Sequence, residues 1–144
     1  MWHGQAFNGT KIALLCGSRI VAYRRDDKLG IPFPGLWDLP GGGREGFEGP
    51  VACALREVEE EFGISLEENR VRSLRRYRSG VDGGLDSYFC AAEVTPEEIE
   101  RIRFGDEGQE WRLMEASEFL GLEDAVPNMK HRLKACLAEG AAGT

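Results

Sequence analysis

Apolar residues recur along this chain in short bursts, and the spacing inside each burst predicts its element. Lys11 to Cys16 and Arg19 to Arg24 are apolar or alternating stretches parted by Gly17-Ser18, which predicts two strands joined as a hairpin. Between Gly30 and Pro50 stand seven glycines and four of the six prolines, which excludes a helix and leaves room only for a short strand at Leu36-Trp37-Asp38-Leu39. Pro50 then opens Val51 to Phe62, where Val51, Ala54, Leu55, Val58 and Phe62 follow helical spacing and Gly63 supplies the stop. Val71 to Tyr77 and Leu85 to Val94 are further strand candidates. Thr95-Pro96-Glu97-Glu98 has a cap residue, a proline at the first helical position and a glutamate three past the cap, predicting a short helix through Ile102. Gln109 to Met114 reads as a strand, Ala116 to Leu120 as a helical turn, and Asn128 to Leu137 as the last helix. Strands and helices interleaved in this order predict α/β layers around one sheet.

Composition narrows the class. At 144 residues, 42% hydrophobic and 30% charged, the chain fits one compact domain over 1–144. No uninterrupted apolar run exceeds five residues, so no span of about twenty is available for a membrane helix and no membrane partner is expected. Met1 to Lys11 lack a basic start followed by an apolar stretch, so a cytoplasmic location is expected. The four cysteines lie far apart without a CxxC, and only two histidines accompany them, so they read as reduced, mostly buried thiols. Acids outnumber bases 25 to 18, a net charge of −7 that argues against a broad grip on a nucleic acid polymer.

The placing of the acids says more than their number. On a helix, Glu57, Glu60 and Glu61 share a sector of about 100° beside the apolar face, while Glu59 falls outside it. Like charges three or four apart destabilise a helix by ~0.2–0.5 kcal/mol per pair, so three together call for compensation. A divalent cation supplies it, and hard oxygen ligands without histidine or thiolate suit Mg²⁺ or Mn²⁺. Glycines at 41, 42, 43, 46 and 49 let the backbone fold tightly against the start of this helix, whose free N–H groups favour an anion. Spacing alone thus points to a metal-assisted phosphate site on a loop–helix unit. The competing reading is a solvated acidic face after an ordinary turn.

The segment Gly42 to Ile64 resembles, position for position, the signature of the Nudix hydrolases. That signature is a glycine, five residues, a glutamate, seven residues, then Arg-Glu-aliphatic-x-Glu-Glu-x-Gly-aliphatic. Here it is carried by Gly42, Glu48, Arg56, Glu57, Val58, Glu60, Glu61, Gly63 and Ile64. The resemblance implies an α/β/α sandwich around a mixed β-sheet, and hydrolysis of a nucleoside diphosphate linked to another moiety. It also implies Glu57, Glu60 and Glu61 as catalytic metal ligands, with Glu48 and Arg56 bracing the loop on the helix and Gly42 and Gly63 in structural roles. Leu36-Trp37-Asp38-Leu39-Pro40-Gly41-Gly42 resembles the strand entering the box of MutT-type members, which convert nucleoside triphosphates to monophosphate and pyrophosphate. Glu107-Gly108-Gln109-Glu110-Trp111 resembles their downstream segment, which implies Glu107 as another metal ligand, with Glu110 in reserve.

MutT-type proteins read the purine with an asparagine before the last helix; here Val126-Pro127-Asn128 lacks the alanine of their stretch, and Asn128 serves equally as a helix N-cap. Arg24 is assigned to substrate, with Arg25 beside it, since one of an alternating pair faces outward. Arg70, Arg72, Arg75, Arg76 and Arg78 form a solvated strand face or a partner surface. Trp37 and Trp111 belong to the core or the pocket wall. The expected partner is a small nucleotide, an oxidised purine among the options. ADP-ribose, nucleotide sugars and dinucleoside polyphosphates are the rival substrates, lowered by the absence of a marker proline in Ser65 to Gly80. A nucleotide-sensing module without catalysis is the rival of another class, disfavoured by the complete box.

Overall fold

The computed structural model describes residues 2–142. The first strands, β1 (Gly9–Cys16) and β2 (Arg19–Arg24), form the expected hairpin, with Leu15 opposite Ile20 and Gly17 at a φ of 62° in the turn. The two strands then part. β1 pairs in parallel with β6 (Ser87–Glu93) and, on its other side, antiparallel with β4 (Gly41–Gly43). β2 pairs with β3 (Trp37–Asp38) and with β7 (Glu110–Glu115), while β5 (Val71–Tyr77) closes the far edge against β6. The result is a seven-stranded mixed sheet of order β3-β2-β1-β6-β5, with β4 and β7 branching from β1 and β2.

Both faces of this sheet are covered, which is why its central strands read as unbroken apolar runs. Along β1, Ile12 and Leu14 face one way and Ala13 and Leu15 the other; on β6, Cys90 and Ala92 oppose Phe89 and Ala91. The first set packs under α1 (Pro50–Phe62) through Ala54, Leu55, Val58 and Phe62. The second packs under α3 (Ala116–Gly121) and α4 (Pro127–Ala142) through Phe119, Met129 and Leu133. A short α2 (Pro96–Glu100) carries the full capping box, Thr95 Oγ1 accepting from the Glu98 N–H at 3.1 Å while Glu98 Oε1 accepts from the Thr95 N–H at 2.9 Å.

Several boundaries differ from the sequence expectation. α2 ends at Glu100, because the Arg101 and Ile102 N–H groups bond back three residues to Glu98 and Ile99, tightening the last turn. β6 starts at Ser87, after a turn closed by the Gly84 N–H on the Val81 carbonyl. α4 opens at Pro127 and runs on to Ala142, so Asn128 sits inside the first turn and is not the N-cap. At the front of α1, Gly49 makes no side-chain cap, while Gly63 at a φ of 72° ends the helix by bonding the Glu59 carbonyl at 3.0 Å.

Candidate active site

The parting of β1 and β2 opens one end of the sheet, and a cleft of about 780 Å³ lies there. One wall is the inner edge of α1 with the glycine loop before it. Gly42 stands so close to the helix that a Cβ on it would lie 2.7 Å from the Glu57 carboxylate, so any larger residue there would push that carboxylate from its place. Arg56 ties loop to helix. Its Nη2 donates to Gly43 O and to Glu48 Oε1, both at 2.8 Å, its Nε to Glu48 Oε2 at 3.0 Å, and its Nη1 to Glu57 Oε1 at 2.9 Å and Glu60 Oε2 at 3.0 Å. The bonds from Arg56 hold the Glu48 carboxyl below its ordinary range.

Glu61 is the unusual member. Its side chain is buried, and Oε1 finds no hydrogen-bond partner. Burial pushes its carboxyl well above the ordinary range, Lys11 pulls it down, and the neighbouring Glu57 raises it further. A buried carboxylate oxygen left without a donor costs about 1–3 kcal/mol or more, so its presence here calls for a ligand. Glu61 and Glu57 line the cleft together with Glu45 and Glu107. Glu107 is delivered by the stretch before β7, where Gln109 donates from its backbone to Arg24 O at 2.8 Å and from Nε2 to Arg25 O at 2.9 Å. Glu110 lies off the cleft and pairs with Arg112 at 3.5 Å. Glu60 is exposed but shares Arg56 Nη1 with Glu57, which keeps the two carboxylates side by side, whereas Glu59 turns away to accept from Ser65 Oγ at 3.1 Å.

The donor set suits a hard divalent cation. Among the described residues no three acidic, histidine or cysteine groups already converge on one point. Mg²⁺ does not require such a cage, because it keeps several waters and is commonly held by one or two carboxylates plus substrate phosphates. The orphaned Glu61 oxygen beside Glu57 supplies that kind of partial site.

Between the walls lies a charge cluster that sequence reasoning did not isolate. Buried Asp38 accepts from Lys11 Nζ and Arg25 Nη1, each at 3.0 Å, from Tyr23 Oη at 3.3 Å, and from the Leu39 N–H at 2.7 Å. Lys11 also donates to the carbonyls of Leu39 and Gly41, which fixes the strand leading into the box. Burial acts to lower the Lys11 ammonium, but Asp38 and the other acids outweigh it and the group sits above its ordinary value. Lys11, the one charged residue of β1, was the available signal for this cluster. The arginine assignment also needs correction: Arg25 lines the cleft, whereas Arg24 points its Nε at Gly35 O, 3.0 Å away, and clamps the loop after β2.

The opposite wall is α4. Asn128, Met129 and Arg132 line it, and among the described residues the exposed Asn128 amide makes no intramolecular side-chain hydrogen bond. The cap reading of Asn128 is thus excluded by its position inside the first turn of α4. Trp37 is buried in the core beneath α4, and Trp111 packs against the core under α1. Most arginines on β5 and just before it are paired with acids: Arg70 with Glu98, Arg72 with Glu93, Arg75 with Glu139 and Arg76 with Asp86. All four cysteines are free thiols.

The profile of the NUDIX domain matches residues 9–136, so the chain belongs to the Nudix family. Members of this family act on nucleoside diphosphate derivatives and generally use divalent metal ions. A Mycobacterium tuberculosis protein named 8-oxo-dGTP diphosphatase 3 is 49% identical over 39 residues, 27% of this chain and 18% of that protein. An RNA pyrophosphohydrolase of Acidiphilium cryptum is 40% identical over 60 residues, 42% of this chain and 35% of that one. The matched stretches therefore span well under half of these relatives. Among solved structures, a MutT protein from Methanosarcina mazei superposes with a TM-score of 0.71 at 16% identity, over 97% of this chain and 99% of that one. That likeness is one of fold. No helix among the described residues is long and apolar enough to cross a membrane.

Proposed function

We propose that this chain is a Mg²⁺-dependent pyrophosphohydrolase that cleaves a nucleoside triphosphate to the monophosphate and pyrophosphate. The observation that carries this is the orphaned Glu61 oxygen beside Glu57 on the wall of a polar cleft large enough for a nucleotide. Glu57 and Glu61 hold the ion, with Glu60 and Glu107 as further ligands, and Mn²⁺ fits the same donors. Once bound, the ion neutralises polyphosphate charge and acidifies a water.

The protein's own groups do the rest. A carboxylate drawn from Glu57, Glu60 and Glu61 takes the proton of the attacking water, a step typically worth ~10²–10⁴-fold. The new phosphorus–oxygen bond forms as the bond to pyrophosphate breaks. Arg56, bonded to both Glu48 and Glu57, keeps the carboxylates in place through the cycle. Arg25, Lys11 and Asp38 order the cleft between the α1 and α4 walls, and Asn128 offers an amide to the base.

The test is a panel of canonical and oxidised nucleoside triphosphates, ADP-ribose, a nucleotide sugar, dinucleoside polyphosphates and a 5′-triphosphorylated RNA, with both products identified. The names of the two partial relatives are the reason that 8-oxo-dGTP and the RNA are included. Monophosphate and pyrophosphate from a free triphosphate, only with divalent metal present, supports the reading. Intact triphosphates alongside cleaved ADP-ribose would overturn it.

A further inference from the structure

The α4 wall carries a cation that the chemistry at Glu57 and Glu61 does not use. Arg132 follows Asn128 by one turn of α4, so the two share a helix face and both line the cleft. Among the described residues no carboxylate pairs with Arg132, although the chain has seven more acids than bases and four arginines of the β5 segment each found one. Instead its guanidinium lies 4.4 Å over the Tyr77 ring, and Nη1 donates to Ser87 Oγ at 3.1 Å. Tyr77 ends β5 and Ser87 begins β6, so two strands fix the plane of the fork from behind. Most of its five N–H donors remain without a protein acceptor. A half-buried guanidinium without an acid is costly unless a ligand supplies acceptors.

The layering of the fold says which part of a ligand that is. Glu57 and Glu61 belong to the helix on one face of the sheet, and Arg132 to the helix on the other. A nucleotide with its phosphates at α1 reaches α4 with its base, where an amide and a guanidinium stand side by side. A guanidinium only donates. It matches the adjacent O6 and N7 acceptors of guanine or hypoxanthine and meets a donor in the 6-amino group of adenine.

We propose that Arg132 is a specificity-determining residue, which reads the carbonyl edge of the base and makes the site favour 6-oxopurine over 6-aminopurine nucleotides. The proposal rests on the nucleotide reading above and deepens it. Calorimetry of GMP, IMP and AMP binding in Mg²⁺ tests it without requiring turnover. The wild-type protein binds GMP and IMP ~10-fold or more tighter than AMP, the discrimination expected of one good bidentate contact. Arg132→Met brings that ratio close to one, and Arg132→Lys, which keeps charge but loses the fork, lands between.

If Arg132→Met does not fold by its melting curve, Arg132→Lys and Ser87→Ala carry the test, the latter by releasing the fork from its anchor. Equal affinity for the three nucleotides overturns the proposal, as does no measurable binding of any. So does a preference that survives the variants, or an equal loss for all bases, which would mark a phosphate-binding or structural role. Triphosphate hydrolysis is measured separately. A GMP preference that depends on Arg132, without hydrolysis, would sink the pyrophosphohydrolase reading and leave the base site standing. Hydrolysis without base preference does the reverse.

Discussion

The two walls of the cleft are built by opposite means. On the α1 wall, Arg56 gathers Gly43, Glu48, Glu57 and Glu60, none more than 13 residues away along the chain. On the α4 wall, Arg132 is positioned by Ser87, 45 residues earlier, and by the ring of Tyr77. The first arrangement is a local device that any fold placing this loop before this helix reproduces. The second exists only once β5, β6 and α4 have met. The acidic wall therefore suits chemistry common to many nucleotides, and the α4 wall suits the choice among them.

Breaking the acidic wall should have the largest effect. Glu57→Gln and Glu61→Gln are expected to lower pyrophosphate release ~10²–10⁴-fold on every nucleotide hydrolysed, while Glu59→Gln, whose side chain turns toward Ser65, stays near the wild-type rate. Equal loss at Glu59 would refute the division of the helix into a catalytic edge and an outer face. Arg56→Met comes next. Losing its charge-assisted bonds to Glu48 should cost about 1.5–3 kcal/mol in denaturant melts. The freed carboxylates should then need ~10–100-fold more Mg²⁺ for half-maximal activity. A variant of unchanged Mg²⁺ dependence would reduce Arg56 to a structural tie.

The α4 wall predicts a change of ranking instead. Asn128→Ala should alter kcat/KM ratios between purines by ~10-fold, chiefly through KM. A uniform fall in kcat would place the amide with the chemistry instead. The smallest effect belongs to Arg70 and Glu98, an ion pair at 2.7 Å between the residue before β5 and α2 that lines no part of the cleft. The Arg70 guanidinium holds the Glu98 carboxyl down to about 2, below its ordinary 4.5. Its stabilisation is therefore fully present above pH 4.5 and is lost as the pH falls through about 2. Glu98→Gln should cost about 0.5–1 kcal/mol at neutral pH, with the difference closing in acid and turnover unchanged, because Arg70 is partly exposed and screened.

The same contrast governs how much could be read in advance. The helix from Pro50, its Gly63 stop, the Gly17 hairpin and the Thr95 capping box are decided by residues in direct chain contact, and each formed as the pattern indicated. Asn128 shows where local reasoning fails. It has good cap chemistry, but Pro127 already fits the first helical position, and moving the start by one residue turns a cap into a free amide. Arg24 and Arg25 show a related failure. Alternation says that the two point apart but not which one meets the cleft, and that choice follows from the loop carbonyls of Gly35 and Pro32. The Asp38 cluster left only Lys11 as a local trace, for a third reason: its cations come from β1 and from the residue after β2, which meet Asp38 only once β3 has paired with β2.

By itself, then, the sequence determined the carboxylate edge, the glycine contact beneath it and the alternation that buries both faces of the sheet. All of these follow from helix and strand periods acting over a few residues. The tertiary structure alone decided that Glu61 is buried with one oxygen unsatisfied, that Asp38 gathers two cations, and that Arg132 meets no carboxylate among the described residues. Burial and pairing depend on which distant segments arrive beside a residue, and no local period encodes that.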